Sequence, residues 1–266
     1  MLSGYDERKI NISLKAPMLS DAYSQTFGQE RVTPKERQSR VGGVFASVAS
    51  RYDIMNDVMS LGTHRLWKKI FVAKLPLGSK TRMIDVATGT GDIAISVMKA
   101  HPDGAPVVMV DPSSFMLEKA NERLIDLALA PRGITVQAPA EHLPFPDRSF
   151  DVCSISFGLR NVTHLTQALS EMRRVLVYGG HFFCMEFSPD LLPFLQKPYA
   201  LYERIIPHMG RLIARDGPSY QYLVDSIKAF PPSDILVRMM AEAGFGGIRV
   251  TSLSGGLVRI HQGVRV

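Results

Sequence analysis

Five short apolar runs, at residues 82–87, 106–111, 134–138, 150–157 and 180–187, alternate with helical patterns at 91–100, 113–129 and 164–176. Strands separated by segments of helix length cannot pair as tight hairpins, so crossover connections make them parallel, with helices covering both faces. The alternation predicts an α/β fold on a doubly wound, mostly parallel sheet. A helix around 233–243, then Gly244 and two strands at 247–253 and 257–261 joined by Gly255-Gly256, predicts a closing antiparallel hairpin. With 266 residues, 45% of them hydrophobic, the chain can bury one large core, and a single domain is expected over residues 41–266.

Two additions to that core are expected. Val44, Val48, Tyr52, Met55 and Met59 recur at helical spacing until Gly62, and Leu66, Trp67, Ile70 and Phe71 follow, which predicts a helical cap over 44–75. Between Pro189 and Pro232 the alternation gives way to a mixed apolar segment containing Leu195, Tyr199, Tyr202, Ile205 and Ile206, which fits an amphipathic lid bent near Pro207. Residues 1–40 show little periodicity and are expected to form a flexible arm. Fourteen Lys and Arg against seven Asp and Glu over residues 1–82 account for the whole formal charge of +6. Such a basic region can meet an anionic membrane surface, whereas no aromatic-rich signature points to nucleic acid. Cys153 and Cys184 each sit in an apolar run and read as buried thiols. No apolar stretch approaches the roughly 18 residues that span a bilayer.

The stretch Ile84–Asp92, I-D-V-A-T-G-T-G-D, joins a strand end, a carboxylate and two glycines. Asp85 ends the strand, Gly89 and Gly91 let backbone approach a ligand, and a helix starts at Asp92. Twenty residues after Gly91 a second strand ends in Asp111, placed to accept from ribose hydroxyls. Gly89, Gly91 and Ala94 also satisfy the loose G-x-G-x-x-A pattern, so a nicotinamide-dependent oxidoreductase stays open on the loop alone. Asp85 favours the other choice, because a carboxylate there repels a pyrophosphate and attracts an ammonium group, and S-adenosylmethionine carries the ammonium and no phosphate.

Longer strings narrow this. V-F-A-S-V-A-S-R-Y-D-I-M-N-D from Val44, G-T-H-R-L-W-K-K from Gly62, L-P-F-P-D-R-S-F-D from Leu143, S-F-G-L-R-N-V-T from Ser156 and S-Y-Q-Y-L-V-D-S-I from Ser219 resemble the ubiquinone/menaquinone biosynthesis C-methyltransferase family, over about Phe27 to His261. The resemblance implies a Rossmann-like class I methyltransferase that moves a methyl group from S-adenosylmethionine to a ring carbon of a polyprenylated benzoquinol, of demethylmenaquinol, or of both. By position, it implies cofactor contacts at Thr90, Asp111, Pro139, Ala140 and Ser156, beside Asp85, Gly89 and Gly91 of the loop. The polyprenyl quinol would make the chain cytoplasmic and peripheral to the inner membrane, with transient surface association; a homodimer or a quinone-synthesis complex is compatible with it. The chain departs from the family at Pro139, where a side chain able to bond the adenine amino group is usual, at Ala46, at Val177-Tyr178 and over Gln262–Val266.

Carbon methylation of a quinol needs its hydroxyl deprotonated, so a base or a cation that favours phenolate belongs in the site. Arg160 and Asn161, just past the fourth strand, are the leading candidates, with a water between them as relay, and His64 is the imidazole base nearest the cap. Tyr52, Asn56, Phe157 and Tyr202 are expected to meet the acceptor. Tyr52, Asp53, Asn56 and Asp57 lack convergent His or Cys partners, so no metal is expected. Two alternatives remain: a methyltransferase for another small aromatic acceptor, and a non-catalytic scaffold subunit of a quinone-synthesis assembly.

Overall fold

The computed structural model describes residues 24–27, 30–48, 57, 60, 62–192 and 217–266. Its centre is a seven-stranded sheet: β1 (Met83–Val86), β2 (Val107–Asp111), β3 (Gly133–Gln137), β4 (Phe150–Ser156), β5 (Leu176–Phe187), β6 (Phe245–Leu253) and β7 (Val258–Arg265). In space the order is β3-β2-β1-β4-β5-β7-β6, parallel from β3 to β5, with β7 antiparallel to both β5 and β6. The doubly wound sheet and its closing hairpin are as the sequence predicts, and each predicted strand overlaps an observed one.

Period-two alternation distributes the side chains between two layers. Val152 and Phe183 join one buried cluster with Trp67, Phe71 and Tyr220, while Cys153 and Phe182 join a second with Leu169, Met172 and Met240. Both faces of the central strands are thereby covered, which is why they read as nearly continuous apolar runs. Both cysteines are free and buried in this core.

The helices are α1 (Pro34–Val48), α2 (His64–Lys74), α3 (Asp92–Ala100), α4 (Ser114–Asp126), α5 (Leu165–Val175), α6 (Gly217–Ala229) and α7 (Ser233–Glu242). The first of these moves a predicted boundary. Residues 34–40, expected within the flexible arm, start α1, because Thr33 and Glu36 form a reciprocal cap: the Thr33 N–H donates to Glu36 Oε2 at 2.9 Å, and the Glu36 N–H to Thr33 Oγ1 at 3.3 Å. Pro34 fits the first helical position, where no N–H is needed. Residues 1–23 of the expected arm, and residues 193–216 of the expected lid, lie outside the described residues. At the other terminus, Arg265 is buried and donates to the carbonyls of Arg173, Arg174 and Leu176, so the divergent final residues complete β7 and hold the end of α5.

Candidate active site

The strand order reverses direction between β1 and β4, and a crevice opens there at the carboxyl ends of the parallel strands. Backbone strain marks both strand ends. Ala87, after β1, has φ 51°, and Phe157, after β4, has φ 56°, left-handed conformations that non-glycine residues adopt at about 1–3 kcal/mol. Gly158 follows Phe157 because a Cβ there would come within 2.5 Å of the Ala87 Cβ. Gly91 has φ 85° and starts α3 in a conformation that a side chain resists.

The crevice has two parts that meet at Ala87, Ser156 and Phe157. The larger is a cavity of about 440 Å³ reached by Gly89, Asp111, Ser113, Phe115, Pro139 and Asn161. The smaller, about 20 Å³, is bounded by Lys68, Asp85, Thr88, Thr90 and Asp92.

Asp111 Oδ2 accepts from the Gly89 N–H at 2.8 Å, and Oδ1 from the Ser113 N–H at 2.9 Å. The carboxylate thus ties the glycine loop to the start of α4, and Asp111 lines the larger cavity. Asp85 is 1% exposed and accepts from Ser154 Oγ at 2.5 Å and Thr88 Oγ1 at 2.7 Å, the first contact made possible by the Asp85–Ser154 parallel register. Burial pushes both acids up to about 6, and for Asp85 the neighbouring Asp111 and Asp92 add to it. Asp92 is opposite in sense. Its burial is overcome by Lys68 and Arg123, which hold it at about 2. Arg123 also donates to the carbonyl and Oγ1 of Thr90, which leaves the hydroxyl proton and one lone pair for a ligand.

Ser156 fits a missing partner, since its buried Oγ has no hydrogen-bond partner among the described residues and lies where the two cavities join. Ionisable acids, an unsatisfied hydroxyl and an apolar wall of Phe157 and Phe115 suit a ligand with a cationic end and a nucleoside. Pro139 and Ala140 line the larger cavity, and the Pro139 carbonyl is engaged by the His142 N–H.

The titration of the two acids has a measurable consequence. Their folded values lie above the ordinary 3.8, so the stability they contribute is fully present below about pH 4 and is lost as pH rises through 6. A ligand that accepts only the ionised forms reverses that preference. Titration calorimetry with S-adenosylhomocysteine should show affinity rising roughly tenfold or more between pH 5 and 7, then levelling; a flat profile would contradict this electrostatic assignment.

The residues expected to do chemistry are placed less uniformly. Asn161 lines the larger cavity, with Nδ2 donating to the Phe157 carbonyl at 3.3 Å and Oδ1 accepting from the Tyr222 hydroxyl at 3.1 Å. Arg160 lines neither cavity. Its guanidinium is buried, donates to the Phe157 carbonyl at 2.9 Å and pairs with Glu186, so a direct reach to a substrate phenolate is corrected to a role behind the wall. Glu186 is engaged further by the Arg160 and Phe187 N–H groups. His64 is buried at the start of α2, with Nε2 2.9 Å from Asp57 Oδ1 and Nδ1 without a partner among the described residues; burial lowers its pKa and keeps it neutral near pH 7. Trp67, one turn later, packs against Phe157 and Phe187 and bonds Ser254, which docks this helix on the strand ends. Tyr52, Asn56 and Tyr202 lie outside the described residues.

Three residues that brace the loop after β4 from behind were not foreseen. Arg37 of α1 is 2% exposed and donates to the carbonyls of Arg160, Asn161 and Val162 and to Thr163 Oγ1, pinning the loop after β4. Tyr222 braces Asn161 and stacks on Phe27 at 4.6 Å. Glu186 is the third; a lone acid in the apolar run ending β5 was its available signal.

A family model described as the ubiE/COQ5 methyltransferase family matches residues 33–265. The chain is 45% identical to the ubiquinone/menaquinone biosynthesis C-methyltransferase UbiE of Bartonella tribocorum, over 91% of this chain and 94% of that protein. It is 46% identical to the Xanthomonas campestris enzyme of the same name, over 90% and 95%, and 42% identical to that of Teredinibacter turnerae, over 93% and 100%. Among solved structures, a SAM-dependent methyltransferase from Thermotoga maritima superposes with a TM-score of 0.61 at 20% identity, covering 85% of this chain and all of that one. A second, from Aquifex aeolicus, gives 0.54 at 15% identity, over 80% and 98%.

Proposed function

Because the chain belongs to the ubiE/COQ5 methyltransferase family, we propose that it methylates a ring carbon of a polyprenylated benzoquinol, of demethylmenaquinol, or of both. It is an S-adenosylmethionine-dependent C-methyltransferase with a class I fold. The observation that carries the assignment of the site is the pair of buried acids, Asp85 and Asp111, beside the unpartnered Ser156 hydroxyl, at the point where the strand order reverses.

S-adenosylmethionine, when bound, supplies a methyl group already activated on a sulfonium. What remains for the protein is alignment, exclusion of water and removal of the quinol proton. Asp111 would hold the ribose hydroxyls, Gly89 and Gly91 the close approach of backbone, Ser156 a polar atom of the nucleoside, and Pro139 with Ala140 the adenine edge. At Pro139 one neutral contact is lost, worth on the order of 1 kcal/mol, which weakens binding without abolishing it. Phe157 would stack against the acceptor ring, and the Asn161 amide, fixed by Tyr222, would meet its oxygen. Arg160 sets the position of that amide through the Phe157 carbonyl and Glu186. His64, neutral and oriented by Asp57, borders neither cavity, so as the proton acceptor of this reading it would take the quinol proton through water.

The substrate tail calls for a surface role as well. Among the described residues no helix is long and apolar enough to cross a membrane. The basic excess of residues 1–82 and the exposed Leu66 beside Arg65 on α2 support transient docking at the cytoplasmic face of the inner membrane. Incubation with each quinol and labelled cofactor, read by product mass, tests the substrate assignment. Ring methylation of either quinol supports it; methylation of neither, by protein that binds the cofactor, points to a different aromatic acceptor.

A further inference from the structure

The smaller part of the crevice contains two kinds of charge. Asp85 and Asp92 come from the ends of the glycine loop, and Lys68 comes from α2, an element outside the sheet. Lys68 is largely buried and pairs with Asp92. Asp92 has a second cation, Arg123 Nη1 at 2.7 Å, so it keeps a partner if Lys68 turns away. A buried ammonium needs a counter-ion wherever it points. A zwitterionic amino acid group entering this space would offer its ammonium to the acids and its carboxylate to Lys68.

We propose that Lys68 is the residue that recognises the α-carboxylate of the cofactor, exchanging Asp92 for it on binding. The inference rests on the placement of the cofactor's amino acid end in this crevice, as proposed above. It gives α2 a reason to sit where it does. Trp67 fixes the helix on Phe157 and Phe187, and the next residue carries the ammonium into the cofactor site. A helix already docked on the strand ends would thereby contribute a contact to a carboxylate that takes no part in methyl transfer.

The experiment compares S-adenosylhomocysteine with its decarboxylated analogue, which keeps the amine and the nucleoside, by calorimetry. The full-length wild-type chain is expected to prefer the acid by ~10-fold or more, the size of one charge-assisted hydrogen bond. In Lys68→Met the ratio should fall to within about twofold, and Lys68→Arg should retain most of it. A ratio unchanged in Lys68→Met would overturn the inference and assign the carboxylate to backbone N–H groups at the start of α3. If Lys68→Met does not fold, Asp92→Asn serves instead. Freeing Lys68 should raise the ratio above wild type, and an unchanged ratio would again overturn it. Failure of the wild-type chain to bind either ligand at millimolar concentration would instead sink the placement of the cofactor.

Discussion

Asp111→Asn should lower affinity for S-adenosylhomocysteine by roughly 30- to 1000-fold at pH 7, while the ligand-free protein remains folded. The carboxylate supports two N–H donors, Gly89 at 2.8 Å and Ser113 at 2.9 Å, and still has lone pairs for a ribose. An amide has one acceptor oxygen, so its NH₂ must face one of those donors or the ligand. The fold loses one internal hydrogen bond but no longer buries a charge, since the acid's pKa of about 6 reflects the penalty of ionising it there. These effects oppose each other in stability and reinforce each other in binding. Thermal unfolding and calorimetry on the same preparation check both; affinity within about threefold of wild type would remove Asp111 from the site.

Arg160→Ala should be destabilising by about 3–5 kcal/mol, because it leaves Glu186 charged and 1% exposed with its main partner gone. Lost methylation in that variant alone would say nothing about chemistry. The informative protein is Arg160→Met with Glu186→Gln, which removes both charges and keeps an acceptor for the Phe187 N–H at 2.9 Å. Most of the lost stability should return in the double variant, as it does where buried ion pairs are replaced by neutral groups. Turnover at saturating cofactor should stay roughly 10- to 100-fold below wild type with cofactor affinity little changed, because Asn161 loses the fixed Phe157 carbonyl that orients it. Full recovery of turnover along with stability would reduce Arg160 to a structural part.

The contrast between Asp111 and Arg160 shows what the sequence makes legible. Strand periodicity and the glycine loop are local signals, and they place Asp85, Gly89, Gly91 and Asp111 at the strand ends, where the structure has them. Arg160 was located as well, but its partner Glu186 is 26 residues away on β5, and only the β4–β5 register brings the two together. Arg37 was hidden more deeply. Most of its acceptors in the loop after β4 are backbone carbonyls more than 120 residues on, which carry no side-chain signature. The start of its helix was nonetheless written in Thr33-Pro34-Lys35-Glu36, a cap that the weak apolar periodicity of residues 34–43 obscured. Lys68 lies between these cases: its helix follows from the apolar spacing, whereas its entry into the crevice depends on the packing of Trp67.

A crystal structure of the chain with S-adenosylhomocysteine tests the central claim most directly. The account predicts both ribose hydroxyls within hydrogen-bond distance of Asp111, the sulfur near Ser156 and Phe157, and the amino acid end between Asp85 and Lys68. A ligand bound elsewhere, or one whose ribose makes no contact with Asp111, would contradict it.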